Sequence, residues 1–244
     1  MLYFRGCVVR EKLSNVSDAT EKILKIAGVK YSTLDNEGCC GSFLLRTGFV
    51  EDAEVVMENN LQQLLKSGED KILVSCAGCY NTIKNDYKEL FDVELDVIHT
   101  SELIKNFIKE NKIVLKKSDK TVTYHDPCHL GRHSGIYNEP REVIESTSEL
   151  VEMERNRERS RCCGAGAGVK SAYPEIALEV ASKRINDAID TEAEILTTTC
   201  SFCILNLNNA LDNIMKTNSK DDKFILKVMD LTELILMGLE NEEI

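Results

Sequence analysis

The sequence predicts an α/β fold in which two similar parallel sheets are covered by helices. Short β-branched or apolar runs alternate with longer segments of helical period. Such alternation is typical of parallel strands joined by crossover helices. The order of runs and motifs also repeats after about 120 residues, which indicates an internal duplication. We therefore expect two pseudo-symmetric, Rossmann-like parallel-sheet domains.

Each half is predicted to contain four strands and four helices. In the first half we expect strands near residues 2–5, 30–34, 71–75 and 95–98, and helices near 15–27, 49–67, 79–90 and 100–110. In the second half we expect strands near 121–125, 150–153, 194–199 and 225–229, and helices near 139–147, 173–190, 201–215 and 231–238. The polar run KKSDK at 116–120 is typical of a linker, so the predicted domains are 1–116 and 117–244.

Composition and charge exclude several classes of function. The 244 residues include 43% hydrophobic and 29% charged residues, as in ordinary globular proteins. No apolar run approaches the roughly 18 residues that span a membrane, and the apolar start is too short for a signal peptide. Thirty Lys and Arg against 41 Asp and Glu give a net charge of −11, which disfavours nucleic acid as a partner. We expect a cytoplasmic chain that does not itself span a membrane.

Ten cysteines form the strongest pattern in the sequence. Each half has a single Cys, then Cys-Cys-Gly, then Cys-x-x-Cys, with gaps of 31 and 35 residues in the first half and 33 and 36 in the second. A cytosolic chain keeps its thiols reduced unless they bind metal or perform redox work. The predicted metal ligands are Cys7, Cys39, Cys40, Cys76, Cys79, Cys128, Cys162, Cys163, Cys200 and Cys203.

The predicted strands place every cysteine in a loop after a strand or at the start of the next helix. Because such loops share the carboxyl edge of a parallel sheet, five thiols in each half should converge. A helix that begins at each Cys-x-x-Cys directs its positive end at the site and favours thiolates. Gly41 and Gly164, after the Cys-Cys pairs, allow a positive φ and leave room for a cofactor against the backbone.

Five thiols are one more than zinc or a cubane iron–sulfur cluster takes. The Cα atoms of adjacent cysteines are only about 3.8 Å apart, so their sulfurs most easily serve neighbouring metal atoms. This favours a polynuclear site. A thioredoxin-like dithiol, structural zinc in at least one half, and structural disulfides remain as alternatives, the zinc alternative implying an interaction module with no redox role.

With these motifs the sequence resembles the CCG-domain (cysteine-rich domain) family. The segments GCCGSFLLRTG, SCAGCYNTIKNDY, YHDPCHLGRH and RCCGAGAGVK are most similar to the catalytic subunits of heterodisulfide reductases. The resemblance covers nearly the whole chain. It implies two non-cubane [4Fe–4S] clusters, one on each set of five cysteines, with a substrate disulfide held between them.

The resemblance also implies an activity and partners. We expect an iron–sulfur oxidoreductase subunit that reduces a disulfide such as the coenzyme M–coenzyme B heterodisulfide, as in methanogenesis. Two clusters that each deliver one electron match a two-electron reaction. The chain lacks the ferredoxin-like motifs of related proteins, so electrons are expected from a ferredoxin-like subunit fed by a flavoprotein or a cytochrome, through which the chain could reach a membrane. The alternative is an electron-transfer subunit of a glycolate, lactate, glycerol-3-phosphate, fumarate or succinate oxidoreductase.

Charged residues near the cysteines are weaker candidates. His129, beside Cys128, is the candidate catalytic residue, because it could hand a proton to a product thiolate or hydrogen bond to cluster sulfur. A zinc site on His125, His129 and His133 is disfavoured because Pro127 prevents a helix there. Arg46 and Lys170, each a few residues past a Cys-Cys-Gly, are candidates for the same roles as His129. The candidates for substrate contact are Arg155, Arg157, Arg159 and Arg161, with a solvated loop as the alternative; if residues 155–161 were extended, these four arginines would share one face.

Overall fold

The computed structural model of the protein describes residues 1–217 and 226–239. Two parallel sheets with helices around them confirm the α/β class. One sheet has the order β1-β2-β3 and the other the order β5-β4-β6-β7. Their strands are β1 (Leu2–Phe4), β2 (Lys71–Val74), β3 (Asp96–His99), β4 (Thr121–Tyr124), β5 (Glu149–Leu150), β6 (Ile195–Thr198) and β7 (Lys227–Asp230).

Helices connect the strands in both halves. Those of the first half are α1 (Cys7–Lys12), α2 (Ser14–Ile26), α3 (Ser42–Arg46), α4 (Val50–Lys66), α5 (Ala77–Asn81), α6 (Tyr87–Phe91) and α7 (Thr100–Lys109), with a π-helical turn at Thr82–Asp86 between α5 and α6. Those of the second half are α8 (Asn138–Glu145), α9 (Val169–Ala172), α10 (Pro174–Ile189), α11 (Ser201–Thr217) and α12 (Leu231–Leu239). None of the helices in the described chain has both the length and the apolar character needed to cross a bilayer.

The strand predicted near residues 30–34 is reduced to one bridge. Tyr3 N donates to Ser32 O over 2.8 Å and Ser32 N donates to Met1 O over 3.0 Å. The segment lies outside β1 and has a strand on one side only, so two hydrogen bonds hold it. Its counterpart β5, predicted over 150–153, has two residues and occupies the same place beside β4. In both halves the outermost strand of the sheet is therefore shorter than the apolar runs in the sequence predicted.

The two sheets are related residue by residue. Tyr3 in β1 and Tyr124 in β4 occupy corresponding register positions opposite β2 and β6. Each phenol oxygen lies 3.0 Å from a hydroxyl group, that of Ser75 in one half and Thr199 in the other. Each of these hydroxyl residues directly precedes a Cys-x-x-Cys motif. The duplication therefore extends to individual buried hydrogen bonds.

The halves share a hydrophobic core. Helix α2 packs on α12, and α7 packs on α8, so each half contributes helices to the other. One buried cluster combines Tyr3, Phe107, Tyr124, Ile195 and Ile235. A second cluster surrounds the buried cysteines of both halves. The core thus lies between the sheets, and the division at residue 116 stays a prediction.

Asp230, the last residue of β7, is a buried carboxyl group that is only partly satisfied. Its Oδ1 accepts hydrogen bonds from Thr232 N at 2.8 Å and Thr232 Oγ1 at 2.7 Å, while Oδ2 has no partner among the described residues. The pKa of Asp230 is raised to about 7, mainly by burial and to a smaller extent by the charge of Glu233. Folding therefore favours the protonated form.

The pH dependence of stability should report this carboxyl group. The stabilisation that protonated Asp230 provides is complete below about pH 4 and is lost as the pH rises towards 7, by up to about 1.4 kcal/mol per pH unit. We expect Asp230→Asn, which keeps the acceptor for Thr232, to remove this slope in anaerobic unfolding experiments between pH 4 and 8. Identical slopes for the variant and the parent protein would contradict the assignment.

Candidate metal centre

Each Cys-x-x-Cys motif lies where a strand passes into a helix, as predicted. Cys76 directly precedes α5 at the end of β2, and Cys200 directly precedes α11 at the end of β6. Cys7 opens α1 after β1. The carboxyl ends of parallel strands share one edge of each sheet, and this places the three segments side by side.

All ten cysteines line one cavity. The cavity has about 800 Å³ of space outside the protein atoms, part of it open to solvent. Six of the cysteines are buried and Cys162 is exposed, and all ten are free thiols. Apolar side chains, among them Phe43 and Phe202, form much of the remaining wall. The topology therefore gathers both five-cysteine sets at one site.

Within each set, sulfur atoms lie close together. Cys7 Sγ lies 3.7 Å from Cys39 Sγ in the first set. In the second set Cys203 Sγ donates to Cys163 Sγ over 3.2 Å. Ligands of one tetrahedral metal, with metal–sulfur bonds of about 2.3 Å, would lie about 3.8 Å apart. Small movements would thus bring these pairs to a common metal atom.

The two sets are in contact with each other. Cys76 lies beside Cys200, the equivalent residue of the other half, and this neighbour is the main reason that the pKa of Cys76 is well below its usual range. Ser201 Oγ also donates to Cys76 Sγ over 3.2 Å, and Ala77 N donates to Thr199 O over 3.1 Å. Residues of α11 therefore complete the wall around the first set.

Thiol–thiol hydrogen bonds favour the anionic form at other cysteines too. Cys40 and Cys7 hydrogen bond to Cys39 and lower its pKa to about 3. A hydrogen bond with Cys162 is the largest cause that lowers the pKa of Cys163 well below the usual range. Thiolates are the form of cysteine that binds metals. Each set therefore contains a sulfur that is readily deprotonated.

Gly41 and Gly164 support the sulfurs through their backbone. Gly41 N donates to Cys39 Sγ over 3.5 Å, and Gly164 N donates to Cys162 Sγ over 3.3 Å. Their φ angles are +84° and +80°, which glycine adopts most easily. A Cβ atom on Gly164 would lie 2.4 Å from Ala177 O in α10. The side of this glycine that would carry a side chain is thus filled by a helix, and direct contact of either glycine with a cofactor stays a prediction.

His129 lines the cavity. Its Nδ1 lies 3.9 Å from Cys128 Sγ, and its ring centroid is 5.2 Å from that of His133. Burial lowers the pKa of His129, and the neighbouring His133 lowers it further. The imidazole is therefore neutral near pH 7, and its proton-transfer role stays a prediction.

His125 is a neighbour of the site to which the sequence alone gives no role of its own. It is 1% exposed, and an imidazole nitrogen lies within 4.8 Å of the sulfurs of Cys163 and Cys203. Its Nδ1 accepts a hydrogen bond from Arg184. The sequence feature that could have identified His125 is its position at the end of a predicted strand, three residues before a single Cys.

The arginine-rich segment before Cys162 does not form one face. Arg157–Arg159 is a 3₁₀ turn, so the segment is not extended and its side chains scatter. Arg161 pairs with Asp187 at 2.9 Å. The described residues that line the cavity include none of the four arginines of this segment, Arg155, Arg157, Arg159 and Arg161.

Arg46 lies at the cavity. It donates to both carboxylate oxygens of Asp86, at 2.6 and 2.8 Å, which fixes its direction. Lys170, in α9, is not part of the cavity wall formed by the described residues. Arg46 is thus the arginine among the described residues that line the cavity.

Comparisons with known proteins agree with this site. The model of the CCG cysteine-rich domain matches residues 1–84 and 122–208, once in each half. A dihydromethanophenazine:CoB–CoM heterodisulfide reductase subunit from Methanosarcina mazei is 42% identical over 253 residues, covering 99% of this chain and 60% of that protein. A fumarate reductase (CoM/CoB) subunit from Methanothermobacter marburgensis is 36% identical over 242 residues, covering 98% of this chain and 46% of that protein.

A solved structure supports the fold. A hypothetical protein from Helicobacter pylori has a TM-score of 0.58 and 12% identity, covering 99% of this chain and 49% of that one. The chain spans 58% to 60% of the length of three curated heterodisulfide reductase subunits that it matches. The family model, however, covers most of this chain and repeats as the cysteines do. The chain belongs to the CCG cysteine-rich domain family.

Proposed function

We propose that the chain is an iron–sulfur oxidoreductase subunit that reduces a small disulfide, such as the coenzyme M–coenzyme B heterodisulfide, at two clusters. The convergence of two five-cysteine sets on one cavity carries this proposal. The ten cysteines would be the ligands, and the clusters would be [4Fe–4S] clusters of the non-cubane type. The names of the heterodisulfide reductase relatives support the substrate class.

The donor set fits such clusters. Each half offers five free thiols where zinc takes four, and each pair of adjacent cysteines could supply its two sulfurs to neighbouring metal atoms. Backbone N–H groups of Gly41 and Gly164 donate to cysteine sulfurs, as expected around an anionic cluster. The cavity is partly open to solvent, so a substrate could reach the cysteines from that side.

The side chains around the cavity have separate parts in this reaction. The clusters would supply single electrons, two of which reduce one disulfide. Phe43 and Phe202 keep part of the wall apolar and limit water near the sulfurs. Arg46, oriented by Asp86, offers a guanidinium to an anionic substrate group. His129 is the candidate for holding the proton that a product thiolate takes up.

The partners follow from the same proposal. Electrons would come from a ferredoxin-like iron–sulfur subunit that a flavoprotein or a cytochrome reduces in turn. We propose a cytoplasmic site of action, with any membrane association made through such a partner. We also propose that the two cluster-binding domains are residues 1–116 and 117–244, in line with the repeated family match.

A second function is favoured by one relative. The similarity to the fumarate reductase (CoM/CoB) protein supports an electron-transfer role in a fumarate or related oxidoreductase complex. The same site would then serve a larger complex in which another subunit reduces fumarate. An assay with the isolated chain separates the two functions.

The test starts with protein purified without oxygen. We expect iron and acid-labile sulfide for two clusters, and two reducible signals in EPR spectra. Reduced viologen should then be oxidised when the coenzyme M–coenzyme B heterodisulfide is added. Clusters without disulfide turnover would favour the electron-transfer function, while zinc without sulfide would exclude both.

His129→Gln tests the proton role. We expect turnover to fall by about 10² and its dependence on pH to become flatter, since a general acid contributes about 10² or more. His133→Gln is the matched control, because His133 packs on His129 but is not part of the described cavity wall. An unchanged pH profile for His129→Gln would exclude proton transfer by this residue.

A further inference from the structure

The second half contains a buried polar pair beside its cysteines. His125 and Arg184 are 1% and 0% exposed. Arg184 Nε donates to His125 Nδ1 over 3.1 Å. The other guanidinium nitrogens donate to Arg155 O at 2.7 Å, Asp187 Oδ2 at 3.4 Å and Ser160 Oγ at 3.1 Å. The guanidinium is thus held on several sides, and its direction towards the imidazole is fixed.

This contact determines which ring nitrogen of His125 carries hydrogen. A guanidinium only donates, so Nδ1 must present its lone pair. The doubly protonated ring is excluded because it would direct an N–H at Arg184. The hydrogen of the neutral ring is therefore on Nε2. An imidazole nitrogen lies within 4.8 Å of the sulfurs of Cys163 and Cys203, and Nε2 is the nitrogen left to donate to them.

The first half has no such pair. Tyr3 and Tyr124 are equivalent, so the next residues, Phe4 and His125, are equivalent as well. Phe4 is fully buried and has no hydrogen to donate to a sulfur.

The helix that carries Arg184 also has a counterpart. Gly41 faces Ala53 in α4 as Gly164 faces Ala177 in α10. Two turns further along these helices lie Asn60 and Arg184, respectively. Asn60 Nδ2 donates to a tyrosine hydroxyl, that of Tyr87, over 2.9 Å. The pair of His125 and Arg184 thus belongs to the second half, although the strands and helices around it are repeated in the first half.

We propose that His125, oriented by Arg184, donates an Nε2–H hydrogen bond to Cys163 and makes the two metal sites inequivalent. This inference rests on the proposed function, because it concerns the clusters that the cysteines would hold. His125 is a positioning residue that acts on the cluster through a ligand. A hydrogen bond to a cysteine sulfur stabilises the more negative, reduced cluster, so His125 raises the reduction potential of the second site.

A pair of variants at position 125 tests the direction of the effect. His125→Phe copies the first half and should lower the equilibrium constant for one-electron reduction of one cluster at least tenfold, a shift of about 59 mV or more. His125→Gln retains an acceptor for Arg184 and a donor for Cys163, and should stay within threefold of the parent protein. The readout is an EPR-monitored redox titration of the chain with both clusters.

A matched change in the first half gives the control. Phe4→Leu alters the equivalent buried position without adding or removing a donor, so the potential that His125→Phe lowers should not change. Iron and sulfide are measured for every variant before titration. If the protein contains no iron and sulfide, the proposed function itself is excluded. Two intact clusters with unshifted potentials in His125→Phe would overturn only this inference.

Spectroscopy of the unmodified chain provides a test that does not depend on a variant folding. With ¹⁵N-labelled histidine, electron–nuclear double resonance should detect a weak nitrogen coupling at one reduced cluster. The coupling should vanish in His125→Gln and persist in His129→Gln, which removes the imidazole beside Cys128. Loss of the coupling only in His129→Gln, no coupling at either cluster, or the strong coupling of a direct iron ligand would each overturn the inference.

Discussion

Replacing Cys79 with serine is expected to remove one cluster and abolish turnover. Cys79 is buried in the cavity wall, and serine lacks the soft thiolate ligand. Iron should fall from about eight to about four atoms per chain. Disulfide reduction should fall at least about 10³-fold, because two electrons must reach one substrate from two sites. Iron analysis, EPR spectra and viologen oxidation measure these effects.

Cys203→Ser makes the equivalent change in the second set of cysteines. It should cause the same loss of iron and turnover, and the EPR signal that disappears should be the one that the Cys79 variant retains. Ser201→Ala is the milder comparison, since it removes only the hydroxyl that donates to Cys76. It should keep both clusters and cost less than tenfold in turnover. Full turnover by a variant that has lost one of the two clusters would show that the two sites do not act together.

Gly164→Ala is expected to have the largest effect on stability. The residue has φ +80°, and its new Cβ would lie 2.4 Å from Ala177 O, a backbone atom that cannot rotate away. Strain and overpacking together should cost about 3 kcal/mol, or roughly 6–12 °C in melting temperature. The shift should also weaken cluster retention, because Gly164 N supports Cys162.

Gly166→Ala is the matched control in the same loop. No atom lies within 4 Å of its added Cβ, and the residue is not among those with positive φ. Its melting temperature should stay within about 2 °C of the parent protein. Equal melting temperatures for the two variants would contradict the close packing of this loop on α10.

The repeated cysteine pattern made much of the site predictable. Parallel strands place their carboxyl ends at one edge, so the positions of Cys76 and Cys200 followed from strand prediction alone. The weak sheet edge near Ser32 was not predictable, because an apolar run reveals nothing about how many strands flank it.

Contacts between the halves could not be read from the sequence. The contact of Ser201 and Cys200 with Cys76 depends on how the two sheets pack, which hydrophobic periodicity does not encode. The pair of His125 and Arg184 joins residues 59 positions apart, and nothing in the sequence links the segment around His125 to Arg184. The sequence left open whether the arginines before Cys162 share a face, and the 3₁₀ turn at Arg157–Arg159 scatters them.

The shared wall of the cavity has a consequence for biogenesis. Because Ser201 and Cys200 lie against Cys76, the wall around the first set of cysteines is complete only once the start of α11 has been synthesised. A cofactor bound by the first set would therefore be fully enclosed only after the second half has left the ribosome as far as Ser201.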